Sequence, residues 1–107
     1  MQFFVYGSPK ERQQPLDAAE LGKFMEDSMK KGIIVTGGGL PPKETRIVLT
    51  EEGVAVTDGP FMETKEVIPG FVVIQVDSKE EAIEWVTKSR RLYGNGETRL
   101  VQIFGAS

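Results

Sequence analysis

The sequence contains neither cysteine nor histidine, and these two absences exclude several kinds of chemistry. Without cysteine there are no disulfides, no zinc–thiolate sites and no thiol nucleophile. Without histidine there is no imidazole to act as a general base, a metal ligand or a pH switch near neutrality. A Ser-His-Asp triad is therefore excluded, and any acid–base work falls to carboxylates, lysines or the tyrosines Tyr6 and Tyr93.

An excess of positive charge and long hydrophobic runs are also missing. The net charge of −3 argues against nucleic acid as a partner, because nucleic-acid-binding domains normally carry a basic patch. The opening MQFFVYGSPKE lacks the basic start and the apolar stretch of a signal peptide. No segment approaches the roughly 20 apolar residues that span a bilayer. We expect a cytoplasmic protein with no nucleic-acid or membrane partner.

What the sequence does contain is enough for one globular domain. It has 107 residues, of which 39% are hydrophobic and 27% are charged, an ordinary globular composition. A chain of this length removes roughly two-thirds of its extended surface from water on folding. We expect residues 1–107 to form a single domain around one core.

Apolar runs predict six strands and two helices. The first helix opens at Pro15, whose missing N–H has no helical partner at that position, and it ends before Gly32. The second helix opens with a capping box formed by Ser78 and Glu81. The predicted strands are 2–7, 33–38, 45–50, 54–57, 70–76 and 98–104, and the third and fourth form a hairpin. The predicted inward-facing helix residues are Leu21, Phe24, Met25 and Met29, then Ala82, Ile83 and Val86.

The order of these elements is β-α-β, a hairpin, then β-α-β. It is typical of an α+β protein with a ferredoxin-like plait, here with an inserted β-hairpin and both helices on one face of an antiparallel sheet. Strands 2–7 and 70–76 are nevertheless apolar on both sides, so the second face of the sheet is apolar too. A large exposed apolar face usually marks an interface. We expect a homodimer packed sheet to sheet.

The glycine-rich segment TGGGLPP, residues 36–42, has two interpretations. Three glycines suggest a phosphate-binding loop, but the Gly-Lys-Ser/Thr ending and the following helix are missing. A glycine-rich strand end that leads into a Pro-Pro turn is favoured. The remaining alternative is a close backbone approach by a ligand or a partner subunit.

The acidic segment TDGPFMETKE, residues 57–66, is the candidate site. Asp, Gly and Pro are turn residues, so Asp58 can simply tie the loop that leaves the hairpin. Alternatively, Phe61 anchors the loop by apolar packing and holds Asp58 rigidly as a functional carboxylate. Partial shielding from water by Phe61 would then raise the pKa of Asp58. The residues alone leave both interpretations open.

The segment TDGPFMETKE also resembles the signature of the DGPF branch of the YCII-related family, usually met as DGPFAETKE. The aromatic first strand, GIIVTGGGLPP, GFVVIQVDSKEEAIEWV and ETRLVQIF follow the order found in that family. The resemblance implies a bacterial, cytoplasmic protein whose protomers form dimeric α+β barrels, with Asp58 as the favoured catalytic residue. It also implies a His-Asp pair whose histidine lies on the first helix, and this sequence lacks that histidine.

Two functions follow from these observations. In the first, Asp58 is a general acid or base, aided by Glu63 and positioned by Lys65 or Arg46, in a cofactor-independent isomerase or lyase. Its small, partly apolar substrate would lie between sheet and helices, and the predicted lining is Phe4, Tyr6, Phe24, Met25 and Phe61. In the second, the protein is a non-catalytic ligand-sensing or regulatory module, as the proximity of some relatives to sigma-factor genes implies.

A metal site is the last candidate in the acidic segment. The oxygen ligands Asp58, Glu63 and Glu66 would suit Mg²⁺ or Ca²⁺ rather than zinc. Nothing in their spacing requires an ion. We predict neither a metal nor a cofactor.

Overall fold

The computed structural model describes residues 1–7, 15–40, 43–59 and 70–105. In this part of the chain, six strands and two helices follow one another in the predicted order. They are β1 (Gln2–Gly7), α1 (Ala18–Lys30), β2 (Ile34–Gly39), β3 (Glu44–Thr50), β4 (Gly53–Gly59), β5 (Gly70–Gln75), α2 (Lys79–Tyr93) and β6 (Thr98–Ile103).

Four of the strands form one antiparallel sheet in the order β2-β5-β1-β6. Two β-α-β halves interleave in this way in a ferredoxin-like plait, so the predicted α+β architecture is confirmed. The strands β3 and β4 pair only with each other and form a separate two-stranded sheet. The hairpin is therefore an insertion between the halves, as predicted.

The helix ends are fixed by side-chain caps. The Asp17 carboxylate accepts a hydrogen bond from the Glu20 N–H at 3.0 Å, so α1 begins at Ala18 and not at Pro15 as predicted. At the start of α2 the Ser78 hydroxyl accepts from the Glu81 N–H at 3.1 Å. The Glu81 carboxylate reaches back to the Asp77 N–H, one residue before the position that a capping box uses.

The core lies between the helices and one face of the sheet. Alternation along β1 turns Phe3 and Val5 inward, where they meet Ile74 of β5 and Ala82 and Trp85 of α2. Partly buried side chains pack around this cluster, among them Phe24, Met25, Ile34, Val72, Val86 and Leu100. The apolar transfer of these side chains from water supplies the main drive for folding.

Two helix positions predicted to face inward are exposed, Met29 and Ile83. The neighbouring small residues take the inner positions instead, since Ser28 and Ala82 are buried. Small side chains let the helices approach their neighbours closely, and the bulkier residue one step along the helix is then turned toward water. The predictions for Met29 and Ile83 were wrong for this reason.

Ser28 and Trp85 join the two helices through a buried hydrogen bond. The indole Nε1–H of Trp85 donates to the Ser28 hydroxyl at 2.9 Å, and that hydroxyl donates to the Phe24 carbonyl at 2.8 Å. The ring of Phe24 lies 5.3 Å from the indole. A buried indole N–H without a partner is costly, so this bond fixes how α1 packs on α2.

The hairpin makes the molecule elongated. The radius of gyration is 16.5 Å and the principal extents are 51 × 33 × 20 Å. A compact domain of this length has a radius of gyration of about 13 Å. In the part of the chain that the structure describes, neither helix is long and apolar enough to cross a membrane.

Gly37 sits where the backbones of β2 and β5 come closest. A Cβ atom at this position would lie 2.8 Å from the Phe71 carbonyl oxygen and 3.4 Å from the Cα of Val72. Real Cβ atoms do not tolerate the shorter distance, so only glycine fits without a shift of the strands. The glycines of residues 36–42 thus lie in a strand, and close approach by the chain's own backbone explains the first of the three.

We expect Ser28→Ala to lower the free energy of unfolding by about 1–3 kcal/mol, because the Trp85 N–H loses its partner. Ser89→Ala is the matched control, since Ser89 is buried but donates only to the Val86 carbonyl of its own helix. Urea unfolding followed by the fluorescence of the single tryptophan measures both. Equal losses in the two variants would contradict the role given to this bond.

We expect Gly37→Ala to cost about 1–3 kcal/mol of stability, because β2 must move away from β5. Gly38→Ala is the control, since a Cβ there meets no atom within 4 Å. Thermal melts should show a loss of several degrees for the first variant and no loss for the second. If Gly38→Ala is the more damaging change, the register of β2 described above is incorrect.

Candidate functional site

The sheet face turned away from the helices carries a cluster of aromatic side chains. Phe4 and Tyr6 of β1 alternate with the buried residues of that strand and point to this side. The Phe4 ring lies 5.4 Å from the rings of both Tyr6 and Phe71, and it stacks on the latter. Val73 and the half-exposed Val101 pair with Phe4 from the two sides. We call these five residues the open face.

One end of the open face carries a charged group. Arg99 of β6 pairs directly with Tyr6, and its Nε lies 3.4 Å from a carboxylate oxygen of Glu97. The hydrogen bond with the Tyr6 side chain, with a further contribution from Glu97, raises the pKa of Arg99. The guanidinium therefore stays charged and available as an anchor for a carbonyl or an anion beside the aromatic rings.

Asp58, the main candidate from the sequence, lies in a strand and not in a turn. It is an exposed residue of β4 that pairs with Thr45 of β3. The Thr45 hydroxyl donates a hydrogen bond to Asp58 Oδ1 at 2.8 Å. The interpretation of Asp58 as a turn residue was therefore wrong. The carboxylate is held by the neighbouring strand, and its second oxygen has no bond among those described.

Chain direction places the base of the hairpin at the end of the sheet that holds Tyr6 and Arg99. Gly39, the last residue of β2, pairs with Gly70, the residue before Phe71. Only residues 40–43 separate β2 from β3, so the base of the hairpin lies within roughly 18 Å of this end of the sheet. Asp58 and Thr45 belong to that base.

The predicted site residues divide into groups that the structure does not unite. Tyr6 lies on the open face, whereas Phe24 packs against Trp85 on the helix side, so the two cannot line one pocket. Arg46 is exposed and follows Thr45 in β3, which turns it to the other face of the hairpin from Asp58. The predicted residues Phe61, Glu63 and Lys65 lie outside the described residues.

Arg99 is the residue that the sequence did not single out. Its position opposite Tyr6 follows only from the pairing of β6 with β1, which joins the two ends of the chain. As for metal ions, residues 1–7, 15–40, 43–59 and 70–105 bring together no cluster of three carboxylates that could hold one. Of the acidic metal set considered, Glu63 and Glu66 fall outside these ranges.

Comparison with known proteins identifies the family. The YCII-related domain matches residues 1–105, so the chain belongs to the YCII-related family. Among solved structures, the chain is similar to 5-chloro-2-hydroxyhydroquinone dehydrochlorinase from Burkholderia phenoliruptrix AC1100 in complex with 2,5-dihydroxybenzoquinone. The identity is 16% and the TM-score 0.38, over 96% of this chain and 93% of the other. No curated protein matches the chain.

The assignment of faces along β1 predicts opposite outcomes for two adjacent phenylalanines. Phe3→Ala should cost about 3–5 kcal/mol, because Phe3 is fully buried in the core. Phe4→Ala should cost much less in dilute protein, because Phe4 is only partly buried. Urea unfolding at low concentration measures both. A larger loss for Phe4→Ala would mean that β1 is shifted by one residue, which would place the aromatic cluster on the helix side.

Proposed function

We propose that the protein binds a compact, partly apolar molecule where the base of the hairpin meets the Tyr6 end of the open face. The observation that carries this proposal is the exposed Asp58 carboxylate, held by Thr45 at the same end of the sheet as the Tyr6–Arg99 pair. Aromatic rings, one cation and one carboxylate are a suitable set for a small ring-shaped or carbonyl-bearing ligand.

The proposed reaction is a proton transfer without a cofactor, of the isomerase or lyase type. Asp58 takes a proton from a carbon next to a carbonyl, and the electron pair moves into that carbonyl. Arg99 stabilises the negative charge that forms on the oxygen. In an isomerisation the proton returns to another carbon, and in an elimination a leaving group departs with the electron pair. Thr45 holds Oδ1, so Oδ2 is the atom that takes the proton.

The second candidate function is a ligand-sensing or regulatory module, and the composition favours it. The family's His-Asp pair cannot form in a chain without histidine. In this function Asp58 contacts the ligand but moves no proton. The two functions share the binding site and differ only in whether turnover follows binding.

The finer family features are part of the same proposal. Residues 57–66 support membership of the DGPF branch, and with it a cytoplasmic, bacterial protein. The aromatic open face supports a homodimer that forms an α+β barrel through this face. Phe61, Glu63 and Lys65 are proposed to complete the site from the segment that follows β4.

A pair of hairpin variants tests the proton transfer. Small anionic and carbonyl-bearing ring compounds are first screened for binding and turnover by the unaltered protein. Asp58→Asn keeps the oxygen that accepts from Thr45 but removes the base, so turnover of a hit should fall by about 100-fold or more while binding remains. Glu52→Gln, at the far turn of the same hairpin, should leave both unchanged.

The outcomes separate the two functions. Binding without turnover in the unaltered protein supports the sensing module. Turnover that survives Asp58→Asn contradicts the assignment of Asp58 as the base. Hits whose binding is indifferent to both Asp58→Ala and Arg99→Ala would show that the site lies elsewhere on the protein.

A further inference from the structure

One face of the hairpin is an exposed apolar strip. It consists of Ile47 and Leu49 of β3 and of Val54 and Val56 of β4, which pair directly as Ile47 with Val56 and Leu49 with Val54. Between 63 and 78% of the surface of each of these residues is exposed. Four contiguous branched side chains on one face are unusual for a surface in water and mark an interaction site.

The strip needs a cover that its own protomer does not give it. An isolated two-stranded hairpin is marginally stable in water, so β3 and β4 gain from packing against another layer. The hairpin pairs with no other strand among those described, and the molecule is 51 Å long, so the hairpin extends away from the main sheet. The cover must come from outside.

We propose that the strip of one protomer lies against the open face of a second copy of this chain, and that the arrangement is reciprocal. The two surfaces match in length. From Thr45 to Leu49 and from Gln2 to Tyr6 the strands each advance about 14 Å. Both surfaces are also apolar over most of this length, as sheet-on-sheet packing requires.

The areas favour this arrangement over the pairing of two hairpins. Four branched aliphatic side chains that are about two-thirds exposed offer roughly 250–300 Å² of apolar surface. The partly exposed aromatic rings of the open face, together with Val101, contribute a similar area. Their sum of about 500 Å² on each subunit is the apolar share of a standard interface of about 800 Å² per partner. Hairpins packed on each other would bury about half as much.

The polar ends of the two surfaces are complementary as well. The strip ends at the Thr45–Asp58 pair, and the open face ends at Tyr6 and Arg99. When the apolar parts are aligned, the Asp58 carboxylate of one copy faces Arg99 of the partner subunit. The interface stands without the proposed function, whereas the contribution of this second cation to the site rests on it. The site then needs two copies.

Charge substitutions on the two faces of one strand test the interface. Leu49→Asp, in the strip, should convert the dimer into a monomer in sedimentation velocity at micromolar concentration. Val48→Asp is the matched control, since Val48 is the adjacent residue, is also exposed and points to the other face. A monomeric unaltered protein, or a dimer that survives Leu49→Asp, overturns the proposal. Tryptophan fluorescence reports that each variant is folded.

Cross-linking gives a second test that does not depend on a destabilised variant. Because the chain has no cysteine, two single-cysteine proteins can be mixed, one with Ile47→Cys and one, with a mass tag, with Val101→Cys. A short bismaleimide should join the two chains. With Val48→Cys in place of Ile47→Cys the yield should fall at least several-fold. Equal yields, or none from the Ile47→Cys mixture, overturn the proposal.

Discussion

Two helices can cover only one face of a four-stranded sheet, and the rest of the structure depends on that constraint. Phe3, Val5 and Ile74 are buried because α1 and α2 lie over them, locked together by the bond between Ser28 and Trp85. The residues that alternate with them are just as apolar, and they are left on the open face. The protein is therefore built with one surface completed by its own helices and another that is not.

The inserted hairpin has the same property on a smaller scale. Its strip is apolar and exposed, and its base carries the one carboxylate that a neighbouring strand holds in place. The plait brings this base to the end of the sheet where Arg99 pairs with Tyr6, because β1 and β2 run in the same direction on either side of β5. A candidate site and two uncovered apolar surfaces thus meet in one region. A site between two copies accounts for all three features with one arrangement.

The sequence predicted the strands, the hairpin, the ferredoxin-like plait and the cap at Ser78, because these depend on local patterns. It failed where the outcome depends on contacts between distant segments. Met29 lost its inner position to Ser28 because the latter meets Trp85, 57 residues away along the chain. Phe24 and Tyr6 were both aromatic and apolar in context, but only the packing of α1 shows that they lie on opposite sides of the sheet. Arg99 became a candidate only through its pairing with Tyr6.

The central claim is that the base of the hairpin and the Tyr6 end of the open face bind one ligand together. Amide chemical-shift mapping by NMR, with a library of small anionic and carbonyl-bearing ring compounds, tests it most directly. The account predicts that a binding compound shifts the amides of Tyr6, Phe71 and Arg99 together with that of Asp58, at one shared dissociation constant. Compounds that shift only amides around Phe24 and Trp85, on the helix side, would contradict it.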